Sequence, residues 1–382
     1  MKKERMTGMR LAGIVLIGIV LLLDIAFFVS KDREFSPTEN RNLTTLPAFS
    51  VDAAASGRFE ASFDDYVADQ FPFRDGWIRI KALADRLMGH NEANGVFLGS
   101  DGYLIRNFTM PDDDTYRAQA DAIRDFSIRH SDMKQYMLVA PSALTVMADK
   151  LPAFAQAGDE SGYIDKLKLD TSDLTMQFID VRDTLQQLKA TEQVFYRTDH
   201  HWTTAAAYAA YRELARAAGL NGINMMYDRL LVTDSFSGTL GSMSGFRTGE
   251  QDSIELFVPK AQTVDYVVTY VYEGKRSASF YDADKLKEKD KYAMFFSGNH
   301  PTIRIDTNAD SKRVLLVFKD SYANCLIPFL VGDYKKIVVV DPRYFTDDIE
   351  ELIEVEGINE ILFLYNANTL AADKTLIQDI GR

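Results

Sequence analysis

The chain is poor in cysteine and histidine and short of positive charge. Its single cysteine, Cys325, excludes any disulfide within the chain. That scarcity assigns no compartment, because many exported bacterial proteins lack disulfides. Lys and Arg number 43 against 56 Asp and Glu, a net charge of −13. So acidic a chain is a poor sequence-independent nucleic-acid binder, since phosphate attraction needs a basic surface. Internal repeats and low-complexity tracts are absent. No Asp-rich metal motif stands near an apparent strand end, and no cofactor is implied. Only five histidines, His90, His130, His200, His201 and His300, are available as a general base.

What is present begins with the N-terminus. Residues 1–10 carry Lys2, Lys3, Arg5 and Arg10 against Glu4, a local net charge of +3. Residues 11–30, LAGIVLIGIVLLLDIAFFVS, are apolar except for Asp24 and Ser30. At about 1.5 Å per residue they nearly match a hydrocarbon core of about 30 Å. Asp24 would cost about 2.5–3.5 kcal/mol at mid-span, and less beyond the midpoint where it lies. A cleaved signal peptide is the alternative. It wants small residues at two positions before the cut, and Asp24 or Phe28 occupies one of them. The expectation is therefore a single-pass anchor at 11–30, with 1–10 cytoplasmic and the body extracytoplasmic.

Residues 31–90 read as a polar, extended stalk to about 60, followed by helix with a break at Phe71-Pro72-Phe73-Arg74. The catalytic domain is expected over 91–382. It opens with a hairpin at 95–105 that turns between Gly99 and Gly102, followed by helix over 114–130 and a strand from Gln135 to a loop at Pro141. The Ala-rich stretch 203–220 is the clearest helix and stops at Gly219. Residues 221–312 are mixed, with β-like runs. Buried-strand runs then recur at 313–318, 335–341 and 359–366, with helices expected from about Ser321, near Thr346 and near Thr369. This alternation implies an α/β fold, a parallel sheet with helices on both faces.

Open parallel sheets bind ligands beyond the carboxyl ends of their strands. After the first run stands Ser321, where a helix N-terminus would supply backbone donors. After the second stands Arg343, and after the third Asn366; either could complete an oxyanion hole. A serine hydroxyl needs a base. In TDHHW, 198–202, Asp199 and His201 are two apart, so in an extended segment their side chains point the same way. The carboxylate could orient the imidazole toward a serine. Simpler readings exist: a helix cap before 203–220, a Ser cap after a strand, loop asparagines, an ion-paired arginine. A zinc site from His200 and His201 is disfavoured, because adjacent histidines diverge and no partner has a usual ligand spacing.

TDHHW before an Ala-rich helix, with LLVFKDSYANCLIPFL later, resembles the DHHW protein family. FPFRDGWI, GVFLGSDGYL, KYAMFFSGNHP, DPRYF and FLYN extend the resemblance over nearly the whole body. That family is similar to the SGNH hydrolase-like acetyltransferases typified by the alginate O-acetylation proteins, in which Asp-x-His precedes the serine. The resemblance implies an SGNH-like three-layer α/β/α domain with Asp199 as orienting acid, His201 as base and Ser321 as nucleophile. It places Arg343 and Asn366 at glycan or oxyanion contacts. The implied activity is O-acetyl transfer to a surface or exported polysaccharide, with a membrane-bound acyltransferase as donor. An esterase, a non-catalytic glycan-binding protein and a metal phosphoesterase are the alternatives. Two departures stand out: Lys319 where many members have Gly, and Tyr365-Asn366-Ala367 in place of Gly-Asn-Asp.

Overall fold

The computed structural model describes residues 2–36, 41–261 and 264–381. The side chains of residues 2–12, including the basic residues of the expected cytoplasmic tail, lie outside the described residues. The chain divides into two compact units, Met1–Met88 and Gly89–Arg382.

The first unit is helical. Helix α1 spans Lys2–Val29 and contains most of the apolar run. Among the described residues no helix is long and apolar enough to cross a membrane. Helices α2 (Val51–Ala55), α3 (Arg58–Gln70) and α4 (Arg74–Leu87) follow, so the stretch expected to be extended already contains α2 and the start of α3. Asp69 and Gln70 explain why the linker is held: Thr44 N–H donates to Asp69 Oδ2 at 2.9 Å, and Gln70 Nε2 donates to the Arg33 and Thr44 carbonyls at 2.9 Å each. The break between α3 and α4 falls where expected. Pro72 lacks an N–H, and Phe73 takes the left-handed conformation at φ 59°.

The second unit is built on an eight-stranded sheet. Its strands are β1 (Lys134–Ala140), β2 (Gln177–Phe178), β3 (Tyr266–Tyr270), β4 (Lys275–Ser277), β5 (Thr302–Thr307), β6 (Val314–Lys319), β7 (Lys336–Val340) and β8 (Glu360–Asn366). Their order across the sheet is β4-β3-β5-β7-β6-β8-β1-β2. The five strands from β7 to β2 pair in parallel, as the β–α alternation implies. The other three pair antiparallel, and β5 pairs antiparallel to β7, so the sheet is mixed rather than parallel throughout. The 266–307 segment supplies these three strands: β3 and β4 form a hairpin, and the chain reaches β5 on the other side of β3 through two short 3-10 turns rather than an α-helix.

The apolar runs are central strands. In β8 every residue is buried, and in β6 and β7 all but the first, as a sheet covered on both faces requires. Register aligns Phe318 with Val340 and Phe363, and Asn366 with Ala140. The carboxyl ends of β6, β7, β8 and β1 therefore form one rim. Around the sheet stand α5 (Asp113–Arg129), α6 (Thr204–Ala218), α7 (Ile349–Glu356) and α8 (Ala367–Ala372). The predicted hairpin forms between Val96–Leu98 and Leu104–Arg106.

Candidate active site

Strand β6 delivers Lys319-Asp320-Ser321 to the rim. Asp320 caps the turn: its Oδ1 accepts from Tyr322 N–H and its Oδ2 from Asn366 N–H, both at 3.0 Å, which ties the end of β6 to the end of β8. The helix expected from Ser321 is instead two short 3-10 turns, Ser321–Cys325 and Ile327–Leu330. Pro328 has no N–H, so the i→i−4 bond back to Asn324 cannot form. A long helix dipole is thus missing. What survives is local: as the first residue of its turn, Ser321 has an N–H without an intrahelical acceptor.

The TDHHW segment is a bend, not an extended stretch. Phe195 and Trp202 bridge across its neck, and Thr203 caps α6 just beyond. Asp252, buried at the base, accepts from Arg197 N–H at 2.8 Å and from Thr198 N–H and Oγ1 at 2.9 and 2.7 Å. Asp199 meets His201 by folding back: its Oδ1 accepts from His201 N–H at 3.0 Å and lies 2.5 Å from His201 Nδ1. Its Oδ2 accepts from Thr239 N–H and Oγ1 at 3.0 and 3.1 Å. Gly238 permits this approach, because a Cβ there would stand 2.2 Å from Asp199 Cβ.

His201 Nε2 lies 2.7 Å from Ser321 Oγ. With Nδ1 donating to Asp199, Nε2 is the acceptor for the serine hydroxyl. The structure thus joins Asp199, His201 and Ser321 in one hydrogen-bonded series across a separation of 120 residues. Two further bonds lock the loops together: Trp202 Nε1 donates to the Tyr322 carbonyl at 2.9 Å, and Tyr322 Oη donates to the His200 carbonyl. Burial alone would raise the Asp199 carboxyl. The imidazoles of His200 and His201 and the bonds from His201 and Thr239 instead hold it well below the usual carboxylate range.

Tyr292 carries no role in the sequence reading, although it lies in KYAMFFSGNHP. Its ring stacks on His201 at 3.7 Å and 12°, and its hydroxyl donates to the Ser321 carbonyl at 3.1 Å. It ties the His201 imidazole to the Ser321 backbone. Replacing Tyr292 by Leu is expected to lower turnover about 2–10-fold, corresponding to roughly 0.5–1.5 kcal/mol of ring–ring interaction. Tyr292→Phe should keep most of the rate. Equal rates for Leu and Phe variants in a kcat measurement would show that the stack does nothing.

Arg343 follows β7 and chelates Asp341 through Nε at 2.8 Å and Nη2 at 2.6 Å, leaving Nη1 for a ligand. Burial first, then the charges of His201, Arg106 and Arg343, hold the His200 imidazole below its usual range. Arg106 has no motif that would mark it in the sequence. Asn366 is buried and its amide is already engaged: Nδ2 donates to the Ala140 carbonyl at 3.1 Å and Oδ1 accepts from Asn368 N–H at 3.0 Å. Its position at the rim is as expected, but its side chain holds β8 to β1. Lys319 is fully buried, 3.1 Å from Asp341 Oδ2, and donates to Asn299 Oδ1 at 3.0 Å. Asn324 Nδ2 donates to the same oxygen at 3.2 Å.

His200 does not diverge from His201. The bend brings their rings to 3.9 Å, and Asp199, His200 and His201 place possible metal-ligand atoms within 4.8 Å of one another. Coordination there would compete with bonds already made, since both His201 nitrogens and both Asp199 oxygens are engaged. The expected outcome of EDTA treatment is unchanged activity, and His200→Ala should be mild. Loss of activity on chelation, restored by zinc or manganese, would establish a metal site instead.

A mixed α/β sheet carries a Ser–His–Asp series at its carboxyl rim, and this fold is similar to that of SGNH hydrolase-like proteins. Residues 96–284 match the family described as SGNH hydrolase-like domain, acetyltransferase AlgX; this segment holds Asp199 and His201, and Ser321 lies beyond it. The chain is similar to "Probable alginate O-acetylase AlgJ" of Azotobacter vinelandii, 20% identical over 195 residues. That match takes in 48% of this chain and 49% of the relative, so the chain spans about half the length of that curated relative. Among solved structures, a DHHW family protein from Eubacterium siraeum aligns with a TM-score of 0.63 at 22% identity, covering 75% of this chain and 96% of that one. PatB1 of Bacillus cereus, recorded with a sulfonyl adduct, aligns with a TM-score of 0.62 at 19% identity, covering 74% and 97%. The resemblance read in the sequence, to DHHW proteins and the alginate O-acetylation proteins, is shown by these matches.

Proposed function

We propose that this chain is an extracytoplasmic, serine-dependent O-acetyltransferase acting on a surface or exported polysaccharide. The observation that carries the reading is the Asp199–His201–Ser321 series, at 2.5 and 2.7 Å. His201 takes the Ser321 proton as Oγ attacks the acetyl carbonyl. It returns that proton to the leaving group, which leaves an acetyl-serine. A sugar hydroxyl then attacks, His201 accepts its proton, and Ser321 is released. The Ser321 N–H and Arg343 are the candidate donors to the oxyanion. The names of the AlgX and AlgJ relatives support acetyl transfer.

In this reading residues 11–30 anchor the chain with the N-terminus inside, and a membrane-bound acyltransferase supplies the acetyl group. The test is incubation with an activated acetyl ester and an oligosaccharide, with products weighed by mass spectrometry. Acetylated oligosaccharide supports the transferase. Free acetate alone, undiminished by acceptor, assigns an esterase. A folded protein inert to every acyl donor tried would instead favour the glycan-binding reading.

A further inference from the structure

Helix α4 is built the wrong way round for a helix of a soluble unit. At 100° per residue, Trp77, Ile80, Leu83, Ala84 and Leu87 fall on one arc. Such an arc ordinarily turns to a core. Here it faces out: Ile80 is 60% exposed, Leu83 61% and Leu87 81%, while Ala82 on the opposite side is buried. Phe73, just before the helix, is 76% exposed.

The polar residues bordering that arc are basic. Arg79 and Arg86, seven residues apart, lie along one edge and make no ion pair among the described residues. Lys81 lies along the other, paired with Asp85 at 2.8 Å. Helix α4 carries Arg74, Arg79, Lys81 and Arg86 against Asp75 and Asp85, a net positive charge in a chain of net −13. Trp77 is prepared for an apolar contact. Its only donor, Nε1–H, is already given to the Pro72 carbonyl at 3.1 Å, so the exposed ring needs no water. An apolar arc with tryptophan, edged by unpaired arginines, is the pattern of a helix lying in a membrane interface. The occupant is marked by charge and by chain continuity: anionic phospholipid complements the arginines, and α4 follows the apolar run 11–30 in the same helical unit.

We propose that α4 is an in-plane membrane helix, its Trp77–Leu87 arc seated at the boundary between phospholipid headgroups and acyl chains. The inference rests on the anchor reading of residues 11–30. The anchor crosses the bilayer and α4 lies on its outer surface, which holds the chain at the bilayer by two attachments instead of one.

The chain has two tryptophans, and Trp202 is fully buried, so subtracting the emission of Trp77→Phe isolates Trp77. The full-length protein is placed in vesicles of phosphatidylglycerol and phosphatidylcholine, floated on a density gradient, and quenched in turn by lipids brominated near the top of the acyl chain and by aqueous iodide. The expected result is loss of most Trp77 emission to the brominated lipid and little to iodide. In Arg79→Glu/Arg86→Glu the lipid quenching should weaken on phosphatidylglycerol and not on pure phosphatidylcholine. A chain that does not float overturns the anchor, and the in-plane helix with it. A chain that floats while Trp77 answers only to iodide overturns the in-plane helix alone. Trp77 shielded from both quenchers overturns it too, since protein then covers the arc.

Discussion

Ser321→Ala should abolish turnover, a loss of about 10⁶-fold by analogy with serine enzymes whose triad members act as a unit. The reason is geometric. Among the described residues, Ser321 Oγ is the hydroxyl within hydrogen-bond reach of His201 Nε2, at 2.7 Å, and can become a nucleophile by losing its proton to it. The fold should survive: its backbone turn is held by Asp320 and Tyr322, whose bonds do not involve the hydroxyl. No cap is lost, because the capping side chain is that of Asp320. A mass increase of one acetyl group should appear on the Ser321 peptide after incubation with an activated acetyl ester. His201→Ala should prevent it, because the hydroxyl then has no base. Asp199→Asn should retain a residue of activity, about 10⁴-fold down, by presenting the imidazole in the wrong tautomer. Full activity with an unlabelled Ser321 would refute the mechanism.

Asp341→Asn should be the most destabilising change at the rim, at about 3–5 kcal/mol, because it leaves the Lys319 ammonium buried without its counter-ion. Both side chains are wholly buried and 3.1 Å apart. Burial alone would raise the Asp341 carboxyl, but Lys319 and Arg343 hold it below the usual carboxylate range. A depressed carboxyl contributes stability that is complete above its unfolded value of about 3.9 and is lost as pH falls through the folded value. The gap between wild type and Asn variant should therefore be widest near neutrality and narrow on acidification. Lys319→Met in the Asp341→Asn background should recover part of the loss, since no buried charge is then stranded. Urea denaturation of wild type, Asp341→Asn, Lys319→Met and the double variant at two pH values measures this. A single variant as stable as wild type would show that water reaches Lys319.

Much of the second unit was legible in the sequence. Buried strands announce themselves as unbroken apolar runs, and β6, β7 and β8 lie within a residue or two of the runs at 313–318, 335–341 and 359–366. Helix α6 stops at Gly219, which takes the left-handed cap at φ 63°. These features are local, and each is set by residues within a turn or two of it. The mixed character of the sheet was not legible. Strand direction depends on pairing partners, which the 266–307 segment finds only in the folded sheet.

The site divides in the same way. Residue types and chain order singled out Asp199, His201 and Ser321, because few histidines exist and one pair precedes a cap. The sequence could not say by what path Asp199 reaches His201; a bend replaces the expected extended segment and also draws His200 alongside. Nor could it say that the Asn366 amide is taken by Ala140 and Asn368, or that Tyr292 lies flat on the imidazole. By itself the sequence determined the buried strands, the Ala-rich helix, the apolar N-terminal run and the three residues with triad chemistry, since propensity, capping and hydropathy act over a few residues. Only the tertiary structure decided which polar groups were already satisfied and which were left to act. A donor or acceptor has few bonds to give, and the competition for them is settled between segments a hundred residues apart.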